Sequence, residues 1–151
     1  MTTQRPTTLQ YSDLIGRLVL DRSTADELGH VDQLWLDPGN YRVSGFTCKS
    51  GVLGHRRRSF HWSQIASLGA DGILVQSAAV EPAKPDTIAA VIGHEVWTDA
   101  GSKAGVVKDY QIAMASGQVL SYLFVSNGWR AILDGLYALP PQAILSIGPK
   151  R

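Results

Sequence analysis

The chain has 151 residues, of which 44% are hydrophobic and 18% charged, a composition typical of a folded globular protein with one ordinary domain or two small ones. Its formal net charge of +1 excludes a global field that would direct it to nucleic acid or an anionic membrane. A single cysteine, Cys48, excludes an intrachain disulfide, and this usage predicts a cytoplasmic protein with a buried, unreactive thiol.

In chain order, the sequence predicts short strands separated by turns rich in glycine, proline and aspartate. Residues 1–10 predict a loose tail, and residues 11–16 predict one helical turn at most, capped by Ser12 or Asp13. The predicted strands are 17–21, 30–37, 41–49 and 73–76 in the first half, and 93–99, 105–113, 118–126, 136–139 and 145–148 in the second.

The two halves repeat the same pattern. Leu14-Ile15-Gly16 recurs as Val91-Ile92-Gly93, 77 residues later, and a second glycine follows in both halves at Gly29 and Gly105. Such internal repetition indicates duplicated structural units. The sequence predicts a tail at residues 1–13, one repeat at 14–77, a proline-containing linker at 78–90 and a second repeat at 91–151. The predicted fold is all-β: two small β-barrels in tandem, with short helical turns only.

A break in the alternation of the second strand occurs in both repeats. Val31 is followed by Leu34 and Leu36, so the apolar face skips one residue, and Val107, Tyr110 and Ile112 skip one in the same way. One extra residue in a strand re-aims every later side chain, so the sequence predicts a β-bulge at matched positions. With Leu34 and Leu36 facing inward, Trp35 is predicted to face outward as a partner contact, or else to pack under the other repeat.

The repeats differ at their ends. The first closes with the turn Ala70-Asp71-Gly72 and a final strand, whereas the second reaches the matching point at Ile147-Gly148 and has only three more residues in this sequence. The second unit is therefore predicted to lack its closing strand. An open sheet edge is normally covered, so the sequence predicts an assembly interface there, including a homodimer through this edge.

These motifs resemble the PRC-barrel family. The resemblance lies in Leu14-Ile15-Gly16, Gly29-His30-Val31-Asp32, Val43-Ser44-Gly45-Phe46 and Phe60–Ile65, and it covers the first repeat more fully than the second. The family includes the cytoplasmic domain of the photosynthetic reaction-centre H subunit and the C-terminal domain of the ribosome maturation factor RimM. The resemblance implies a binding or assembly module, related to photosynthesis or electron transport in one branch, with no shared active site.

No catalytic pattern stands beside this resemblance. Histidines at positions 30, 55, 61 and 94 lack metal-ligand spacing, and Gly51-Val52-Leu53-Gly54 lacks the Lys-Ser/Thr that a phosphate-binding loop needs. The acidic residues lie at turns rather than in pairs. The sequence therefore predicts no enzyme, no metal and no cofactor. A sensor for a small ligand would need a cavity inside a barrel that is too small.

The predicted partner-binding residues are basic and aromatic. His55, Arg56, Arg57 and Arg58 form one run, and Trp35, Trp129 and Arg130 are the other candidates. Arginine binds carboxylates and phosphates bidentately, although a solvated strand end is the plainer interpretation. Two functions follow: a non-enzymatic adaptor or assembly factor that binds an unidentified protein, or a ribosome- or RNA-associated maturation module. Nucleic acid is the less favoured partner because three arginines form a small footprint.

Overall fold

The structure is a computed structural model that describes residues 7–37, 40–76, 78–81, 91–97, 101–126, 136–141 and 146–150. These residues form twelve strands, one single-turn helix and two 3₁₀ turns. The predicted all-β fold is confirmed. The strands are β1 Thr8–Gln10, β2 Leu18–Asp21, β3 Glu27–Asp37, β4 Arg42–Ser50, β5 Arg56–His61, β6 Ile65–Leu68, β7 Gly72–Val75, β8 His94–Trp97, β9 Lys103–Ala113, β10 Val119–Ser126, β11 Leu136–Leu139 and β12 Ser146–Lys150; the helix α1 is Tyr11–Leu14, and the 3₁₀ turns are Val52–Gly54 and Trp62–Gln64.

The strands make two sheets. The first has the order β5-β4-β3-β2-β7-β6, in which only the β2–β7 pair is parallel. The second has the order β11-β10-β9-β8-β12, with β1 paired to β9 beyond the end of β8. The run of neighbours β2 to β5 in the first sheet therefore matches the run β8 to β11 in the second.

Three β-bulges in the first sheet each have a counterpart 76 residues later in the second. The predicted bulge in the second strand is confirmed in both, and two further ones accompany it. Each extra residue lets the strand keep its apolar side chains in the core past the irregularity. The extra residues are Leu28, Asp32 and Ser44 in the first sheet, and Ala104, Lys108 and Leu120 in the second.

The bulge at Ser44 corrects one predicted alternation. The sequence groups Val43 with Gly45 and Thr47 on one face of β4, opposite Phe46. In the structure Val43 joins Phe46 in the main core, while Gly45 and Thr47 lie outside that cluster. The extra residue between Val43 and Gly45 turns Val43 over, because side-chain direction alternates with every residue of a strand.

The predicted loose tail is wrong from Thr8 onward. β1 pairs in register with the end of β9, with Thr8 opposite Ala113. The helical turn that follows is confirmed, but its N-cap is Gln10 rather than Ser12 or Asp13. Ser12 instead holds the turn to the second sheet, since its backbone N–H and its hydroxyl donate to the two carboxylate oxygens of Asp109 at 3.1 and 2.5 Å. The N-terminal segment thus fastens onto the far half of the chain.

The two sheets share one hydrophobic core. A single cluster of buried side chains includes Val19 and Phe46 from the first sheet, Val96 and Ile112 from the second, and Leu14 from α1. The sheets also meet through the backbone, where Val43 N–H donates to Gly117 and Val119 N–H to Tyr41, both at 2.8 Å. Burying this cluster stabilises the two halves jointly.

The ends of the two sheets differ. β12 pairs antiparallel with β8, in the place where β7 pairs parallel with β2. β8 is therefore flanked on both sides. In the described part of the chain no strand lies outside β12, whereas β6 lies outside β7.

Candidate functional site

The turn between β4 and β5 exposes two large apolar side chains. Leu53 is 100% exposed and Val52 is 78% exposed, the highest fractions among the exposed large hydrophobic residues of the described chain. A scattered single exposed leucine is common on protein surfaces, but two adjacent ones held on a tight turn form a patch. We refer to this turn and its basic neighbours Lys49, His55, Arg56 and Arg57 as the β4–β5 tip.

Two glycines in the β4–β5 tip allow the backbone to make its tight turn. Gly51 and Gly54 have φ angles of 84° and 65°, in the region that glycine adopts without penalty. Leu53 lies between them at φ 62°, where a side chain with a Cβ costs roughly 1 kcal/mol. His55 Nδ1 lies 2.5 Å from the carbonyl oxygen of Val52, which closes the turn. The exposed leucine is thus held in a strained conformation.

A carboxylate at the bulge of β3 organises the basic side chains. Asp32 is bound by Arg57 at 2.6 Å and by Lys49 at 3.1 Å. The hydrogen bond from Arg57 is the main cause that lowers the pKa of Asp32, so the carboxylate stays ionised. Because Asp32 is the extra residue of the bulge, its side chain is aimed at β4 and β5. The matched bulge of the second sheet carries Lys108.

The other two arginines differ from each other. Arg58 is partly buried and donates from Nη1 to the carbonyl oxygen of Leu28 at 3.1 Å. Arg56 is exposed, and its guanidinium has no hydrogen bond or ion pair among the residues that the structure describes. Of the three consecutive arginines, Arg56 is therefore the one most available to a partner.

The structure brings four of the predicted site residues together and separates one. His55, Arg56, Arg57 and Arg58 lie in or beside the β4–β5 tip. The predicted exposure of Trp35 is wrong: its side chain is 1% exposed.

The buried position of Trp35 has a local cause. The ring lies over Gly45, its Nε1 donates to Thr47 Oγ1 at 3.0 Å, and the ring of His61 meets it edge-on at 5.9 Å. These neighbours belong to β4 and β5 of the same sheet. Trp35 does lie on the opposite face of β3 from Leu34 and Leu36, but residues of β4 and β5 cover that face. Trp129 and Arg130, the remaining predicted contacts, lie outside the described residues.

Sequence reasoning missed the residues that most distinguish the tip. In the sequence, Val52 and Leu53 belong only to a glycine pattern that lacks the Lys-Ser/Thr of a phosphate-binding loop, and no role is predicted for Lys49 or Asp32. A signal was present, because an apolar pair between two glycines is unusual in a turn, where polar residues dominate. The ion pairs of Asp32 could not be found locally, since its partners lie 17 and 25 residues away.

The described residues contain no cluster of three or more His, Cys, Asp or Glu side chains that could hold a metal ion. They also contain no helix long and apolar enough to cross a membrane. Cys48 is fully buried as predicted, with Sγ 3.7 Å from the carbonyl oxygen of Leu28, and burial raises the pKa of its thiol. A thiol kept neutral and covered is a poor nucleophile.

Comparison with known families decides the classification. The model of the PRC-barrel domain matches residues 6–81, just over half of the chain. This chain belongs to the PRC-barrel family. PRC-barrel domains are of the protein-interaction or assembly type and are generally non-catalytic. No curated protein matches the chain. The matched PRC-barrel segment contains the whole first sheet, the β4–β5 tip, and also β1, which pairs with the second sheet.

Proposed function

We propose that this protein is a non-enzymatic assembly module made of two PRC-barrel units in tandem, which binds a protein partner through the β4–β5 tip of the first unit. The tandem arrangement is supported by three bulges repeated at an interval of 76 residues and by the matching strand order of the two sheets. The second unit lies within the predicted range 91–151.

The exposure of Leu53 carries this proposal. A large apolar side chain that is 100% exposed in the free protein, beside a 78% exposed Val52, has much to gain from burial against a partner. Lys49, Arg56 and Arg57 surround this pair with positive charge that exceeds the single carboxylate of Asp32. The chemistry therefore fits a protein surface with an apolar pocket and an acidic rim.

RNA is the less favoured partner. Arg57 is already engaged by Asp32 and Arg58 by a backbone carbonyl, which leaves Arg56 as the one arginine of the run with no such contact among the described residues. A site that neutralises several phosphates needs several free cations. By family resemblance we propose a cytoplasmic complex of photosynthesis or electron transport as the first class of partner to test, and the ribosome as the second.

The homodimer through the second sheet remains a prediction. Because β12 pairs with β8 within the chain, the edge strand that a second copy would pair with is β12 and not β8. Light scattering during size-exclusion chromatography tests it: a mass of twice 16.3 kDa supports the dimer and a mass of 16.3 kDa contradicts it.

The proposed docking surface is tested by a double variant, Val52→Ser with Leu53→Ser. Partners are captured with the tagged protein after nuclease treatment, and the affinity of each purified partner is then measured. We expect the double variant to weaken binding at least tenfold, since it removes the apolar anchor. Leu120→Ser, at a 41% exposed leucine of the second sheet, is the matched control and should leave affinity unchanged. Equal losses in both variants, or binding that disappears with nuclease, would contradict the proposal.

A further inference from the structure

A cleft of about 710 Å³ lies where the two sheets meet. Its walls come from the start of β4, from the end of β5 and the 3₁₀ turn that follows it, from β6, and from the turn between β9 and β10. This volume is within the range of sites for small molecules. The cleft is at the other end of β5 from the β4–β5 tip, about 17 Å away by the rise of a strand. We call it the junction cleft.

The interior of the junction cleft is apolar. Val43 is fully buried at its floor, Trp62 is nearly buried, and Ile65 and Leu68 are partly buried beside them. Trp62 Nε1 donates to the carbonyl oxygen of Met114 at 3.0 Å, a bond that crosses from the first half of the chain to the second. The indole N–H is thus satisfied by the protein, and the small exposed part of the Trp62 ring presents an apolar surface to the cleft.

The rim of the junction cleft carries hydrogen-bond donors and no acid. Arg42 donates from Nε to the carbonyl oxygen of Ser116 at 2.8 Å, which fixes the plane of its guanidinium. Its two terminal nitrogens have no acceptor among the described residues. His61 lies on the same rim, and no Asp or Glu is among the described residues that line the cleft. The electrostatics therefore favour a ligand with one negative charge.

We propose that the junction cleft binds a small amphipathic carboxylate, such as an alkyl carboxylic acid of medium chain length. The carboxylate takes a bidentate position on the terminal nitrogens of Arg42, and the alkyl chain lies against Trp62, Ile65 and Leu68. A pre-oriented guanidinium loses little freedom on binding, and a largely apolar cleft with one charged end matches such a ligand at both ends. This site lies between the two sheets, so a filled barrel interior does not exclude it.

The probe is decanoate, titrated into the full chain and followed by amide NMR shifts, with 1-decanol as the neutral counterpart. We expect saturable shifts confined to residues of the junction cleft. Arg42→Gln should weaken decanoate binding at least tenfold and leave 1-decanol binding unchanged. Arg56→Gln, an arginine at the other end of β5, is the matched control and should bind decanoate as the wild type does.

A second variant keeps the test valid if Arg42→Gln destabilises the fold. Ala66 is exposed and lines the cleft, so Ala66→Trp fills the space while Arg42 itself is kept. Its folded state is checked by the wild-type pattern of amide shifts away from the cleft. We expect Ala66→Trp to abolish saturable shifts with both probes. Undiminished decanoate binding in Ala66→Trp, equal losses in the two arginine variants, or shifts located outside the cleft would overturn the proposal.

Discussion

Trp35 and Gly45 are paired residues on β3 and β4, and the position of the Trp35 indole requires a residue without a side chain at position 45. The indole lies flat enough on the neighbouring strand that a Cβ built on Gly45 would be 2.6 Å from Trp35 Cε3 and closer still to the carbonyl oxygen of Phe60. Glycine at position 45 is thus required by the close packing of a tryptophan on the outer face of the first sheet.

Gly45→Ala is expected to destabilise the protein by about 2–3 kcal/mol, because neither the indole nor the Phe60 carbonyl can move away cheaply. Urea denaturation gives the free energy of unfolding. The matched control is Gly72→Ala on β7, where the nearest atom to the added Cβ, the Leu18 carbonyl oxygen, is 3.4 Å away. That control should be neutral or stabilising by up to about 1 kcal/mol. Equal effects at the two positions would contradict the packing described for Trp35.

Two buried tyrosines predict the behaviour at alkaline pH. Burial, with a smaller effect of Tyr41, raises the pKa of Tyr122 to about 12, and burial also raises the pKa of Tyr110. The unfolded chain ionises near pH 10, so between pH 10 and 12 it binds fewer protons than the folded protein does. The free energy of unfolding should therefore be insensitive to these groups below pH 10 and fall as pH rises above it.

Each tyrosine contributes a slope of up to about 1.4 kcal/mol per pH unit in that window. Urea denaturation at pH 9, 10, 11 and 12 measures it. Tyr122→Phe should reduce the slope by up to about 1.4 kcal/mol per pH unit, whatever its effect on stability at pH 9. A wild-type slope near zero would show that the two hydroxyls ionise as freely as in the unfolded chain.

At these positions the sequence predicts the face of the strand on which a side chain lies, but not whether other residues cover that face. Alternation along β3 correctly put Trp35 opposite Leu34 and Leu36, and a face opposite the core is usually solvent-exposed. Alternation along one strand does not show that residues of other strands cover that face, namely Thr47, Gly45 and His61. Leu53 was missed for the converse reason, since an apolar residue is not expected to be fully exposed.

The second strands of the two sheets, β3 and β9, are built alike around a glycine. A Cβ on Gly29 would be 2.5 Å from the carbonyl oxygen of Lys49, and a Cβ on Gly105 would be closer still to that of Val125, the residue 76 positions after Lys49. These glycines let β4 approach β3 closely in the first sheet, and β10 approach β9 closely in the second. The repetition of a glycine in the sequence thus has a specific steric cause.

Gly29→Ala and Gly105→Ala are each expected to cost at least about 2 kcal/mol, because the added methyl group meets backbone rather than a flexible side chain. Gly16→Ala is the control: its φ of 86° is unfavourable for alanine, but no atom lies within 4 Å of the added Cβ. It should cost about 1 kcal/mol. Thermal and urea denaturation measure all three. If Gly16→Ala were the most costly, backbone strain rather than close approach would explain the glycines.

Elements that depend on local pattern were predicted, and elements that depend on distant pairing were not. The bulges at Asp32 and Lys108 were recoverable because a phase slip is visible within six residues. β1 was not, because Thr8–Gln10 has a single apolar residue and becomes a strand by pairing with residues about 100 positions away. A strand is predicted at residues 145–148, but the antiparallel pairing of β12 with β8 is not, because no local signal distinguishes a parallel from an antiparallel neighbour.

The shared core makes the two sheets one thermodynamic unit. Buried side chains of both sheets form a single cluster, and β1 with Ser12 fastens the start of the chain to the second sheet through Asp109. Units of about 75 residues bury too little surface to be very stable separately. The two halves should therefore unfold together.

Val96→Ala tests this coupling. The substitution removes a fully buried side chain of the second sheet and should cost about 2 kcal/mol. In hydrogen exchange under mildly denaturing conditions, amides of β4 and β10 should lose protection by the same amount. Val106→Ala, at a partly buried valine of the same sheet, should lower both by less. Loss of protection in β10 alone would contradict a shared core and describe two independent barrels.

The point at which a partner contacts the molecule decides whether the β4–β5 tip is the docking surface. Photo-crosslinking from single sites measures this directly, with a benzophenone amino acid placed at Leu53 in one variant and at Leu120, also exposed, in another. In cells, the variant at position 53 is expected to form a specific protein adduct that survives nuclease, and the variant at position 120 to form none. No adduct from position 53, or one that is lost with nuclease, would contradict the assignment of the β4–β5 tip as the protein-docking surface.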